Sequence, residues 1–600
     1  MKEFEAEQLL LKMIRNSLSQ GVEIAMPPKN LSFEFKKEIS QLFITLFEEG
    51  KKPIRWGSRR ETLAESINRV VKKLRQNERF NQFTITNPLA CRILFEIVID
   101  KKRCDPKRTT TLGLTENRLE PGIHGLTFNW NGRTIYYMPT DAYTRSQMTM
   151  PQVYNHLAKR IGLIPEIKSK KERASIVRNL PTRFYRIQSK AFVTYKSNIL
   201  PLYRGLPTPP KVNKKAVRDC IIEGANWIVT NQKESGKFLY YYDASTGSTQ
   251  DFQHPNSDYY NILRHAGGTI TLLQVYDLTN DKKYLSAARK SVEFLISTFQ
   301  YHQVGNDVAC YPFFNKKSKL GGAGIALVAL LRYQQATHDT VYEKKTKGLI
   351  LHILSRIEED GEMIGYFIHP LYNDGKELIA PSETMKTELF SFYYPGEALL
   401  GLVLSLQVME TLETKLRAKI YEKCELAFNF LIKKRPIKYS HLFHNLPSDG
   451  WLMQAVESWI LTGGKVQQSY IDFVHNDSLA MINHMYKNNN SPYPDYPGMF
   501  YYTYGEHAYP DGARSEGLIA AYSLARFLSD NKKTDLYFPY LKLAAQALLY
   551  TFNSEESSYA HRFPSASRGS FRFKLTRQWV RIDSAQHAIC FFTRLLPYLK

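Results

Sequence analysis

No run of about 18 apolar residues occurs in this 600-residue chain, so no helical membrane span is expected. Cysteine is sparse. Cys91, Cys104, Cys220, Cys310, Cys424 and Cys590 lie far apart, and no two have the spacing of a zinc site or a disulfide framework. Free thiols in a reducing, cytoplasmic compartment are the expectation. Low-complexity tracts are also missing, and an apolar fraction of 43% with 23% charged residues is that of an ordered globular protein. The first residues, MKEFEAEQLLLKMIRN, mix acids and bases through their apolar positions, which predicts an amphipathic helix rather than a secretory signal.

What is present is positive charge, unevenly placed. Residues 1–210 hold 37 Lys and Arg against 19 Asp and Glu, which is +18 of the net +24. Lys72, Lys73, Arg75, Lys101, Lys102, Arg103, Lys107 and Arg108 are among them. Nucleic acid, acidic lipid, another anionic polymer or plain solvent all suit such a surface. The length suggests several structural units. Pro207, Pro209 and Pro210 interrupt regular structure just before a helical pattern begins, which places a boundary between residues 1–205 and 211–600.

The first unit reads as α+β. Residues 33–49 and 61–76 have helical spacing, whereas CRILFEIVID (91–100) reads as a strand. Asn131-Gly132, between alternating apolar residues, predicts a two-residue hairpin. The order TLAESINRVVKKLRQNERF, RILFEIVI, LEPGIHGLTFNWNGRTIYYMP and PQVYNHLAKRIGLIPE resembles the family named after the AMME-syndrome candidate-region protein, over residues 35–195. That family's cysteine-bearing segment corresponds here to PIRWGS, which keeps Arg55 and Gly57 but has no cysteine. The resemblance therefore implies a binding role without thiol chemistry.

After residue 211, helix follows helix. Apolar residues recur with helical spacing at 217–232, 260–278, 281–299, 321–336, 341–357, 395–412, 414–432, 450–461, 470–486, 512–528, 536–552 and 583–599. Alternate members open with small residues, as in RHAGGTITLLQVY, GGAGIALVALLRY and PGEALLGLVLSLQ. They suit an inner ring packed on all sides. The others, such as DKKYLSAARKSVEFLIS, carry lysines on one face and suit an outer ring. The connections are alternately short and long, so the long, aromatic loops and the N-termini of the inner helices gather at one end. The fold predicted is multidomain: an α+β domain followed by an all-α (α/α)6 toroid of six hairpins. The second part resembles the six-hairpin toroids of glycoside hydrolases, sugar epimerases and uronyl-processing enzymes.

Positive helix ends at the mouth favour anions and developing negative charge. Glu397, Glu516, Asp583 and His587 are the expected catalytic residues. Glu397 and Glu516, each beside a glycine in an inner helix, are expected to face each other across the mouth. Asp243, Asn261, Arg264, His265, Tyr394, Asp449, Trp451, Asp495, Tyr496, Arg514 and Arg581 are the expected substrate-binding set, with HLFH (441–444) and the loop 493–511 adding polar and aromatic groups. Aromatic loops suit the apolar faces of sugar rings. Paired carboxylates suit hydrolysis of a glycan, and the same groups with His and Tyr suit epimerisation or elimination beside a uronate; the basic charge favours an acidic or modified polymer as the expected substrate. A non-catalytic glycan- or peptide-binding platform is the alternative. Neither cofactor nor metal is expected: zinc-dependent lanthionine cyclases need two cysteines and a histidine at the mouth, and terpene cyclases need a dense aspartate motif.

Overall fold

The computed structural model describes residues 4–108, 119–163, 169–251, 254, 259–443, 448–505 and 507–600. The N-terminal part is an antiparallel sheet between two helical layers. Its strands are β1 (Leu42–Phe47), β2 (Ile54–Ser58), β3 (Arg92–Cys104), β4 (Gly125–Trp130), β5 (Arg133–Tyr137), β6 (Phe184–Tyr195), β7 (Asn198–Tyr203) and β8 (Leu206–Pro207). They run in the order β2-β1-β3-β6-β4-β5, with β7 also on β6 and β8 on β7. Helices α1 (Glu5–Gln20) and α2 (Leu63–Arg75) cover one face, where Leu10, Ile14, Ile67 and Val70 meet Ile44, Ile93 and Phe95. Helices α3 (Met150–Arg160) and α4 (Lys170–Arg178) cover the other, through Val153, Leu157 and Val177 against Leu94, Phe128 and Val193. Successive strand residues point to opposite faces, so β3 is apolar on both sides because both sides are covered.

The hairpin forms where expected. Asn131 and Gly132 take φ of 47° and 71° between β4 and β5, the backbone that an Asn-Gly pair tolerates. The helix expected over 33–49 does not form. Its second half, LFITLF, is β1, paired with both β2 and β3, because a β-branched and aromatic run between two partners gains more from the sheet than from an isolated turn.

Twelve longer helices follow among the described residues. In chain order they are α5 (Lys214–Thr230), α6 (Ile262–Thr279), α7 (Lys282–Ser297), α8 (Leu320–Thr337), α9 (Glu343–Ser355), α10 (Tyr394–Val408), α11 (Thr414–Asn429), α12 (Gly450–Leu461), α13 (Gln468–Asn483), α14 (Gly512–Phe527), α15 (Asn531–Leu549) and α16 (Ile582–Leu595). The even members form a closed ring, α6 on α8, α8 on α10 and so on to α16, which packs back on α6. The odd members lie outside. Every residue from 320 to 331 in α8 and from 395 to 405 in α10 is buried, whereas α7 buries one stripe. Close approach within the ring depends on glycine: a Cβ on Gly517 of α14 would overlap Gly450 of α12.

The two parts share a polar junction. Arg204, after β7, is buried and pairs with Glu120 at 2.7 Å and with Asp495 of the ring at 2.6 Å, while the Tyr496 hydroxyl donates to Glu120 at 2.9 Å. The six cysteines are free, and no helix among the described residues is long and apolar enough to cross a membrane.

Candidate active site

The first turns of α6, α10, α12, α14 and α16, with the residues just before them, enclose a cavity of about 290 Å3 at one mouth of the ring. Among its walls are Asn261, Arg264, Tyr394, Glu397, Trp451, Arg514, Glu516, Asp583 and His587, all anticipated from the sequence. Tyr393, Gln454 and Gln586 also line it.

Glu397 lies in the first turn of α10 and is 3% exposed. Its Oε2 has no hydrogen-bond partner among the described residues. Burial, with the charge of Asp449 behind it, pushes its carboxyl up to about 8, against the opposing pull of His587 and Lys319. Its protonated form is therefore favoured well beyond that of an ordinary glutamate.

His587 Nδ1 is 2.9 Å from Glu516 Oε1. A carboxylate only accepts, so Nδ1 carries a hydrogen and Nε2 is the nitrogen left to gain or lose a proton. Burial alone would lower this imidazole's pKa. Glu516, through its charge and its hydrogen bond, holds it above the ordinary value, helped by Asp583 and Asp511.

Asp583 is clamped. Arg581 grips it in two-pronged fashion at 2.6 and 2.7 Å, and Arg264 Nε stands 3.1 Å from Oδ2. Burial would raise its pKa, but the two guanidinium groups hold it below the ordinary range. Arg514 pairs with Asp511 at 2.6 Å. Glu397 and Glu516 border one cavity, yet each answers to a different neighbour: the imidazole is hydrogen-bonded to Glu516, and no cation pairs with Glu397 among the described residues.

Several anticipated residues lie elsewhere. Asp449 is fully buried, accepts from the Leu452 N–H at the start of α12 and pairs with Arg435 at 3.0 Å, so it caps and does not line the cavity. Arg435 directly follows a π-helical turn (Phe430–Lys434) that continues α11. His265 is a core histidine: Nε2–H donates to the Ser291 carbonyl at 2.8 Å, Nδ1 bonds the Tyr260 hydroxyl at 2.6 Å, and burial lowers its pKa to about 4. Asp243 accepts from the Ser245 N–H and hydroxyl in a turn. Asp495 and Tyr496 belong to the Arg204 junction. Arg581 acts through Asp583 and packs over Phe573 at 4.4 Å, outside the cavity wall. His444 lies outside the described residues. Among the described residues the one set of three acids close enough to share an ion is Glu358, Asp360 and Glu362, and Lys386 already stands 2.6 Å from Glu358 and 3.3 Å from Glu362.

No known protein family and no curated protein matches the chain by sequence. Solved structures do match. A D-mannose isomerase is 11% identical with a TM-score of 0.42, covering 64% of this chain and 98% of its own. The α-1,6-mannanase GH76A from Salegentibacter sp. HEL1_6 is 13% identical with a TM-score of 0.40, over 64% of this chain and all of its own. Cellobiose 2-epimerase from Bacillus thermoamylovorans B4167 is 12% identical with a TM-score of 0.44, over 64% and 99%.

Proposed function

We propose that the mouth of the ring is the active site of a carbohydrate-active enzyme working by general acid–base proton transfer, with Glu397 and His587 as the groups that carry the proton. One observation supports this above the others. Asp449, Asp511 and Asp583 are each paired with arginine and Glu516 with His587, which leaves Glu397 as the carboxyl at the mouth without a charged partner among the described residues and Nε2 as the open nitrogen of His587. Glu516 is then a positioning residue.

Such a pair suits isomerisation or epimerisation of a reducing sugar. The neutral imidazole takes the proton from the carbon beside the carbonyl while the carbonyl oxygen receives a proton from Glu397, giving an enediol; the imidazolium then returns a proton to carbon as Glu397 takes one back from an enediol hydroxyl, which re-forms a carbonyl and restores both groups. The productive enzyme has His587 neutral and Glu397 protonated, so its rate follows a bell-shaped pH profile. Arg264, Arg514 and the converging helix N-termini favour the negative charge that develops on oxygen. Trp451 and Tyr394 offer ring faces to a sugar's C–H surface.

A second reading, glycoside hydrolysis, is favoured by the opposite pKa shifts of Glu397 and Asp583, the pattern of an acid beside an ionised carboxylate. Incubating the protein with mono- and oligosaccharides in D2O, followed by NMR, separates the readings. Deuterium at the carbon beside the carbonyl marks proton transfer, and new reducing ends mark hydrolysis. Saturable binding with neither leaves a glycan-binding platform and sinks the enzymatic reading.

The N-terminal part is proposed as a separate domain of the AMME-candidate type, supported by the order α2, β3, the β4–β5 hairpin and α3. Its role is contact with a partner. An anionic polymer, nucleic acid included, is tested by binding at low salt and its loss as salt rises.

A further inference from the structure

Beside the central cavity lies a second, of about 240 Å3, which shares Asn261 and Leu263 with it. The rings of Tyr259 and Phe314 form one part of its wall, and Lys317 and Lys319 another. A two-residue turn sets both lysines: Asn315 and Lys316 take φ of 51° and 60°, and Phe314 and Lys317 exchange backbone hydrogen bonds at 3.0 and 3.1 Å. The chain then runs extended, with Ser318–Lys319 paired to Tyr366–Ile368. Alternate residues of extended chain share a face, so both lysines border the cavity and Ser318 turns into the core.

Neither lysine has a carboxylate within ion-pair distance among the described residues. Lys319 Nζ sits 5.8 Å from the centre of the Tyr394 ring, and so stands between the two cavities. Burial, then Lys317 and Arg264, lower its pKa, and only Glu397 opposes them. The nearby His369 is lowered by burial and by the same two lysines. A protein does not gather uncompensated positive charge in a half-buried cavity without cost, and a bound anion removes that cost.

We propose that this second cavity holds an anionic group of the substrate, a carboxylate or a phosphate, so that the enzyme acts on an acidic sugar whose reacting carbon lies between Glu397 and His587. The inference rests on the mouth being the active site and names the class of molecule it takes.

Calorimetric titration tests it, with glucose 6-phosphate and digalacturonate set against glucose and cellobiose. The expected result is that one acidic probe binds at least ~10-fold tighter than its neutral counterpart, a difference of about 1.4 kcal/mol. That advantage should shrink to within ~2-fold in Lys317→Met/Lys319→Met and should weaken as salt rises. Which acidic probe gains tells phosphate from carboxylate. Equal binding of acidic and neutral probes, or a preference that survives in the double variant, overturns the inference while the mouth still binds sugar. Absence of binding by all four probes to both the wild type and Glu397→Gln overturns the active-site reading as well. Melting temperature and circular dichroism establish that the double variant folds, and Lys317→Met alone, farther from the ring, gives the same reading in smaller measure.

Discussion

Gly321 of α8 and Glu397 of α10 occupy one space: a Cβ at position 321 would overlap Oε2 of the glutamate. The same holds between Gly267 of α6 and the Gln586 carboxamide of α16. Glycines that look in the sequence like a device for close helix packing therefore also leave room for polar side chains at the mouth.

Gly321→Ala should gain helix propensity of about 1 kcal/mol and lose more by displacing Glu397. The expected outcome is a net loss of roughly 1–3 kcal/mol and a turnover reduced at least ~10-fold, read by urea unfolding and by kcat. Gly322→Ala, where a Cβ meets nothing closer than 4.0 Å, should instead raise stability by about 0.5–1 kcal/mol. Equal behaviour of the two variants would refute the steric role assigned to Gly321.

Glu397→Gln should stabilise the protein in a pH-dependent way. The carboxyl's folded pKa is raised from 4.5 to about 8, so its favourable contribution is complete below 4.5 and is lost as pH climbs to 8. Gln does not ionise. The stability of Glu397→Gln relative to wild type should rise between pH 4.5 and 8, by about 1.4 kcal/mol for each pH unit crossed, and then level. Melting curves at pH 4.5, 6, 7 and 9 check this, and a constant difference contradicts the raised pKa.

Glu516→Gln removes the charge that holds the His587 pKa up, leaving burial to lower it. NMR titration of the His587 ring should show a midpoint below that of the wild type, and the limb of the pH–rate profile that follows the imidazole should move the same way. A profile that drops in height without shifting would assign Glu516 a different role.

Arg204→Met should be among the most damaging single changes, because it strands two buried carboxylates, Glu120 and Asp495, at the junction. Breaking a buried pair in this manner costs about 3–5 kcal/mol. Lys72→Ala, on the surface of α2, should change stability by less than about 0.5 kcal/mol. Chemical denaturation of both variants measures the contrast.

Helix number, helix order and the division into inner and outer rings were legible in the sequence, because apolar spacing and small first turns are local consequences of how each helix is covered. The Asn131-Gly132 hairpin was legible for the same reason, since the backbone at those two residues is set by the residues themselves. β1 was not, since LFITLF becomes a strand only when β2 and β3 lie on either side of it. Residue type and position brought Glu397, Glu516, Asp583 and His587 to the mouth, yet nothing local distinguished Asp449 and His265, which are satisfied inside the core, from those that face the cavity. Lys319 was missed because it stands one residue before α8, where the sequence shows only a lysine ahead of a glycine-rich helix. Which charges are paired across the ring, Glu516 with His587 and Asp583 with Arg264 and Arg581, was decided by tertiary structure alone. Ring closure brings α14 and α6 against α16, and a charge's pKa depends on the groups that reach it through space, not along the chain.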